Sequence, residues 1–89
     1  MDIDAMRKAA AQAGAMLRTL GNEDRLLLLC RLSQGEMAVS ELAQALDIRQ
    51  PTLSQQLGVL REEGLVSTRR AGKQIYYAVA DAKALALLH

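Results

Sequence analysis

The chain has no tryptophan and no phenylalanine, and only two tyrosines, one proline, one cysteine and one histidine among its 89 residues. With so few rings, stacking on unpaired bases cannot be its main theme. A single cysteine, Cys30, excludes an internal disulfide framework and fits a reducing compartment. One histidine, with no paired acids around it and no glycine-rich phosphate loop, leaves no constellation for catalysis. We therefore expect no enzyme and no cofactor. No apolar run approaches the roughly 20 residues that span a bilayer, and the N-terminus has no secretory pattern. The expectation is a cytoplasmic protein with no membrane partner.

What remains is leucine, alanine and charge. Half the residues are apolar (51%), and the length allows one domain, residues 1–89, with a modest core that oligomerisation would support. Residues 2–19 read as an Ala-rich helix with acids at its start and Arg18 near its end. Gly21 breaks it and Asn22 caps a second helix over 23–34, whose leucine run reads as apolar all round and centrally buried, with Gly35 as its stop. A short helix over 39–46 places Val39, Leu42, Ala43 and Leu46 on one face. Asp47 to Gln50 turns the chain, and Pro51 opens the next helix, residues 51–63. After Gly64 the period changes to two: 65–70 and 74–79 read as strands joined at "RRAGKQ". "DAKALALLH" then starts a last helix at 81. The order α-α-α-α-β-β-α is mostly helical with a small hairpin, a winged helix-turn-helix.

The helix over 51–63 carries the functional signal. Leu53, Leu57 and Leu60 make its apolar stripe, so Pro51, Thr52, Gln55, Gly58, Val59 and Glu62 face outward with Ser54 and Gln56 on the flanks. Its N-terminal half is neutral and rich in donors and acceptors, and its acids sit at the far end. A helix entering a major groove N-terminus first needs that polarity. From Arg49 to Lys73 the net charge is +3, against −2 for the rest of the chain, and Arg69, Arg70 and Lys73 cluster at the hairpin tip. A basic wing there can track phosphates. The rival reading is a winged helix used for protein contact, with a merely solvated wing; an exposed apolar patch on the same face would favour it.

"LGNEDRLLLLCRL", "VSELAQALDIRQPTLSQQLGVLREEGLV" and "RRAGKQIYYAVAD" resemble the ArsR/SmtB family of winged-helix repressors, over residues 20–81. The resemblance implies a homodimer built on the first and last helices, which binds a palindromic operator in double-stranded DNA and lets go when an inducer acts. It implies that Gln50, Thr52, Ser54, Gln55 and Gln56 contact DNA, beside Arg49, Arg69, Arg70 and Lys73. Arg49 stands where a serine is usual and Gln56 where a histidine is frequent, so base preference does not transfer.

Sensing is read by elimination and likeness. Where metal-binding relatives carry cysteines before and in the third helix, this chain has Ala38, Ser40 and Ala43, none of them a soft ligand. In the last helix Asp81 matches a metal-binding position, but Lys83 replaces the histidine, and His89 reads as a solvated terminal residue. No metal site is expected. On burial tendency alone Cys30 is a small hydrophobe in a leucine run. Its position also resembles the thiol-switch branch of the family, which implies a sensor of oxidants or reactive sulfur species, paired with a second cysteine in the last helix. The chain ends at His89 before that position: either the last helix is cut short here or the second thiol is absent. A metal-responsive or constitutive repressor is the alternative.

Overall fold

The computed structural model describes residues 2–80; the expectations for the helix from 81, including Asp81, Lys83 and His89, fall outside them. Helix α1 (Ile3–Leu20) begins one residue later than expected because Asp2 is its cap, accepting from the Asp4 N–H at 3.2 Å. Helix α2 (Glu23–Leu32) starts on Asn22, whose side-chain oxygen accepts from the Arg25 N–H at 3.1 Å. It stops two residues earlier than the leucine pattern suggests. The N–H groups of Gln34 and Gly35 turn back to the carbonyls of Arg31 and Leu32, three residues behind, and so tighten and end the last turn.

A strand that periodicity could not show follows: β1 (Met37–Ala38), two residues long. Helix α3 (Val39–Leu46) is closed at its start by the Glu41 carboxylate, which accepts from the Ala38 N–H at 2.9 Å. Asp47, in the left-handed region at φ 54°, turns the chain into α4 (Gln50–Glu62). Helix α4 starts at Gln50, so Pro51 takes its second position rather than its first. It ends where the Leu65 N–H reaches the Leu60 carbonyl at 2.9 Å and the Gly64 N–H the Arg61 carbonyl at 3.0 Å, with Gly64 at φ 74°. That closure uses the N–H of Leu65, so β2 (Val66–Ala71) begins one residue later than expected. Strand β3 (Gln74–Val79) pairs with it antiparallel from Val66↔Val79 to Ala71↔Gln74, leaving a two-residue turn with Gly72 at φ 62°. β1 adds to the free edge of β3, Met37 opposite Tyr77, so the hairpin is a three-stranded sheet in the order β1-β3-β2.

The core is leucine. Leu28 and Leu29 of α2, Leu42 of α3 and Leu53, Leu57 and Leu60 of α4 have no exposed surface, and Leu32, Leu65 and Val66 join them. Tyr77 and Val79 pack against it from β3, while Ile75, on the same face, lies beyond the core and is exposed. The expectation that α2 is buried all round is wrong. At about 100° per residue, Leu28, Leu29 and Leu32 share one face, and Leu26, Leu27 and Cys30 are carried to the other, where all three are exposed. α1 lies against this assembly mainly through Met16 and Leu20, with Ile3, Met6 and Leu17 in solvent. Among the described residues no helix is long and apolar enough to cross a membrane.

Leu57 sits where α2, α3 and α4 share the core, so Leu57→Ala should cost about 2–5 kcal/mol in urea unfolding. A loss below about 1 kcal/mol would place Leu57 in a site able to collapse, not in a close-packed core.

Candidate nucleic-acid interface

Burial of Leu53, Leu57 and Leu60 fixes the rotation of α4. Arg49, Gln50, Pro51, Thr52, Ser54 and Gln55 are consequently all exposed, and Gln56 is half-buried. No side chain caps this helix, Pro51 carries no N–H, and its first turn holds no acid. The first-turn N–H groups therefore stand at the positive end of the helix dipole without a protein carboxylate to answer them. An outside anion meets amide and hydroxyl groups there, with Glu62 and Glu63 at the opposite end. Of the residues expected to face outward, Pro51, Thr52, Gln55, Gly58 and Glu62 are exposed, while Val59 is half-buried.

Gln56 is the member of the set with a partner inside the protein. Arg25, in the first half of α2, donates from Nη1 to the Gln56 side-chain oxygen at 2.9 Å. The same guanidinium donates from Nε to the Thr19 carbonyl at 2.6 Å and from Nη2 to the Arg18 carbonyl at 3.2 Å. Those are carbonyls at the C-terminal end of α1, and that of Arg18 also accepts from the Gly21 N–H at 3.3 Å. Sequence reasoning did not find Arg25: it lies 31 positions from Gln56, and nothing local announces the pairing.

The wing divides its cations. Neighbours on a strand point to opposite faces, so Arg69 and Arg70 part company. Arg69 reaches back to Glu36, just before β1: Nε donates to both carboxylate oxygens, at 3.0 and 2.8 Å, and Nη2 donates to Oε1 as well. Its guanidinium carbon also lies 4.8 Å from the centre of the Tyr76 ring, the cross-strand neighbour of Arg69. The hydrogen bonds from Arg69, with its charge, hold the Glu36 carboxyl below the usual glutamate value, and Glu36 in turn raises Arg69. Arg70 and Lys73 are exposed at and beside the turn. Of the three basic residues expected at the wing, Arg69 is thus engaged within the protein.

Cys30 lies on the outward face of α2, and its carbonyl accepts from the Ser33 hydroxyl at 2.6 Å. Its reading as a buried hydrophobe fails, because α2 turns the other way. Ala38 is buried, Ala43 half-buried and Ser40 exposed. Among the described residues no group of three or more His, Cys, Asp or Glu side chains gathers in a way that could hold a metal.

Residues 22–68 match the family described as bacterial regulatory protein, arsR family. The biofilm growth-associated repressor of Agrobacterium fabrum is 56% identical over 86 residues, covering 97% of this chain and 74% of that protein. Reduced HlyU from Vibrio cholerae superposes with a TM-score of 0.90 at 36% identity, over 97% of this chain and 90% of that one. The homodimeric winged helix-turn-helix DNA-binding domain of Mb0332 from Mycobacterium bovis gives 0.85 at 33% identity, over 99% and 82%.

The Glu36–Arg69 pair sets a pH test. A carboxyl whose folded pKa lies below its unfolded one stabilises the fold above the ordinary glutamate value. That contribution is lost as pH falls through the lowered folded value. Glu36→Gln should lower the melting temperature slightly at neutral pH, and the gap from wild type should close in acid. A gap that persists at low pH would mean that Glu36 acts through shape and not through charge.

Proposed function

From the premise that this chain belongs to the bacterial arsR family, we propose that it is a transcriptional repressor that binds a palindromic operator in double-stranded DNA as a homodimer. The observation that carries this reading is the N-terminal half of α4: uncapped, free of acids, lined with hydroxyl and amide groups, and braced from behind by three buried leucines. Thr52, Ser54 and Gln55 reach base edges from the major groove. Arg49, Gln50 and the free first-turn N–H groups meet phosphates, and Arg70 and Lys73 hold the backbone beside the groove. The division is one of labour: the wing supplies affinity, the helix supplies choice.

The relatives named above support each part of this in its own terms, one as a repressor, one as a homodimeric DNA-binding domain. A protein partner for the same face is disfavoured by its chemistry. The large exposed apolar residues among those described are Ile3, Met6, Leu17, Leu26, Leu27 and Ile75, and none of them lies on α4. The apolar residues exposed on α1 suit a dimer contact instead, and two copies of α4 should then stand about 34 Å apart, one turn of B-DNA.

For induction we favour Cys30, whose thiol is exposed, as the group that oxidants or reactive sulfur species modify to release DNA. Titration of reduced protein against DNA from upstream of its own gene and against scrambled DNA, at several salt concentrations, tests the reading. Specific binding with a steep salt slope is expected; weak, equal binding to both overturns it. Arg70→Ala or Lys73→Ala should weaken all sequences alike and reduce the log–log salt slope by about 1.8, one phosphate per protomer of a dimer. Gln55→Ala should change which sequences are preferred. Cys30→Ser should abolish release by polysulfide or peroxide, and unchanged release would remove Cys30 as the trigger.

A further inference from the structure

We infer that Arg25 is a positioning residue that locks Gln56 as a pure hydrogen-bond donor toward DNA, so that Gln56 reads an acceptor and is barred from the two-pronged contact with adenine. The inference rests on the DNA-binding reading of α4.

A guanidinium carries five N–H groups and no acceptor. Whatever side-chain atom of Gln56 faces Arg25 Nη1 at 2.9 Å must therefore be the oxygen. The position of the guanidinium is itself not free. Its Nε and Nη2 are held by the carbonyls of Thr19 and Arg18, backbone atoms at the end of an 18-residue helix that cannot rotate to follow a side chain. The chain of constraint runs from the end of α1, through one planar group, to the rotation of one amide on α4. With its oxygen turned inward, Gln56 offers its NH2 group outward.

An amide reads adenine by donating to N7 and accepting from the N6 amino group at once. The oxygen keeps a second lone pair, so what bars the two-pronged contact is orientation: with the oxygen held on the Arg25 side, only the NH2 group is left to meet a base edge, and Gln56 can do only the first. What it can meet is an acceptor: N7 or O6 of guanine, O4 of thymine, or a phosphate oxygen. Gln55, beside it, is exposed and has no such bond among the described residues, so its amide keeps both faces. Two adjacent glutamines of identical chemistry are thereby given different vocabularies by one arginine outside the helix that bears them.

The test selects from a library of randomised duplexes with the full chain as wild type, Arg25→Ala, Gln56→Ala and the double variant, then measures affinity for the enriched duplexes by fluorescence anisotropy. If the acceptor is on a base, wild type favours guanine or thymine at one position of each half-site. Gln56→Ala loses that preference, and Arg25→Ala lets adenine in at the same position. If the acceptor is a phosphate, both variants weaken all sequences by about 3- to 10-fold, as a lost hydrogen bond does, with preferences unchanged. In either case the double variant binds no worse than Gln56→Ala alone. Multiplying losses, or an Arg25→Ala variant with intact preference and affinity, would overturn the proposal while leaving DNA binding in place. A wild type that enriches no motif would overturn the DNA reading and this one with it.

Because Arg25 also ties down the end of α1, Arg25→Ala can fail to fold, and Gln56→Glu provides a second route. Its carboxylate keeps an oxygen for Arg25 and turns another outward, so preference should swing toward the cytosine amino group, or binding should fall sharply for every sequence if a phosphate was the partner. A Gln56→Glu variant indistinguishable from Gln56→Ala would count against the locked amide.

Discussion

The stripe Leu53–Leu57–Leu60 is the constraint on which the rest depends. A chain with no tryptophan or phenylalanine must build its core from aliphatic side chains, and all three of these leucines are withdrawn completely from solvent. Rotating α4 by one residue would expose leucine and bury glutamine or serine without partners, losing apolar burial at about 25 cal/mol per Å2 and adding unsatisfied polar groups. The outward set therefore has no freedom. Function is written on the residues that the core does not use, and the core decides which those are.

The same economy governs charge. A surplus of +3 between Arg49 and Lys73 is a mild asymmetry that fits a basic surface. Folding brings Glu36 to Arg69 across 33 positions and places Tyr76 under the same guanidinium. The pair is exposed on both sides, so it adds little to stability. Its larger consequence is for the wing: one cation is paired with Glu36 while Arg70 and Lys73 stay exposed. On the proposed reading, a less basic wing holds less tightly to arbitrary phosphate and leaves more of the binding to α4.

The sequence made legible whatever repeats over short distances. Leucines four and three apart set α4 and its outer face; Asn22, Gly64 and the alternation after it set the element ends to within two residues. It could not show what depends on phase or on distance. Four consecutive leucines fit any rotation of a helix, so the turn that exposes Leu26, Leu27 and Cys30 was invisible until α2 met its neighbours. Two residues carry no alternation, and β1 exists only because β3 offers it an edge. Arg25 and Glu36 read as ordinary surface charges, since Gln56 lies 31 positions from the first and Arg69 33 from the second, and only the fold brings them near.

These long-range contacts bear on how such a protein could be switched. On the proposed reading, one protomer commits few groups to DNA: the first turns of α4 and two wing cations. Half an operator held this way is weak, and affinity comes from joining two halves, each raising the effective concentration of the other. That gain exists only while both copies of α4 meet successive grooves together. Regulation then needs no unfolding; it needs a modest change in how the protomers face one another. Among the described elements, α1 is placed to transmit it. Its N-terminal part offers Ile3 and Met6 to solvent, and the carbonyls at its other end hold Arg25, and through Arg25 the amide of Gln56. A displacement of α1 would alter the spacing of the two reading helices and, in the same movement, release an amide that reads the site. On that reading, spacing and specificity would be coupled through the carbonyls that hold Arg25.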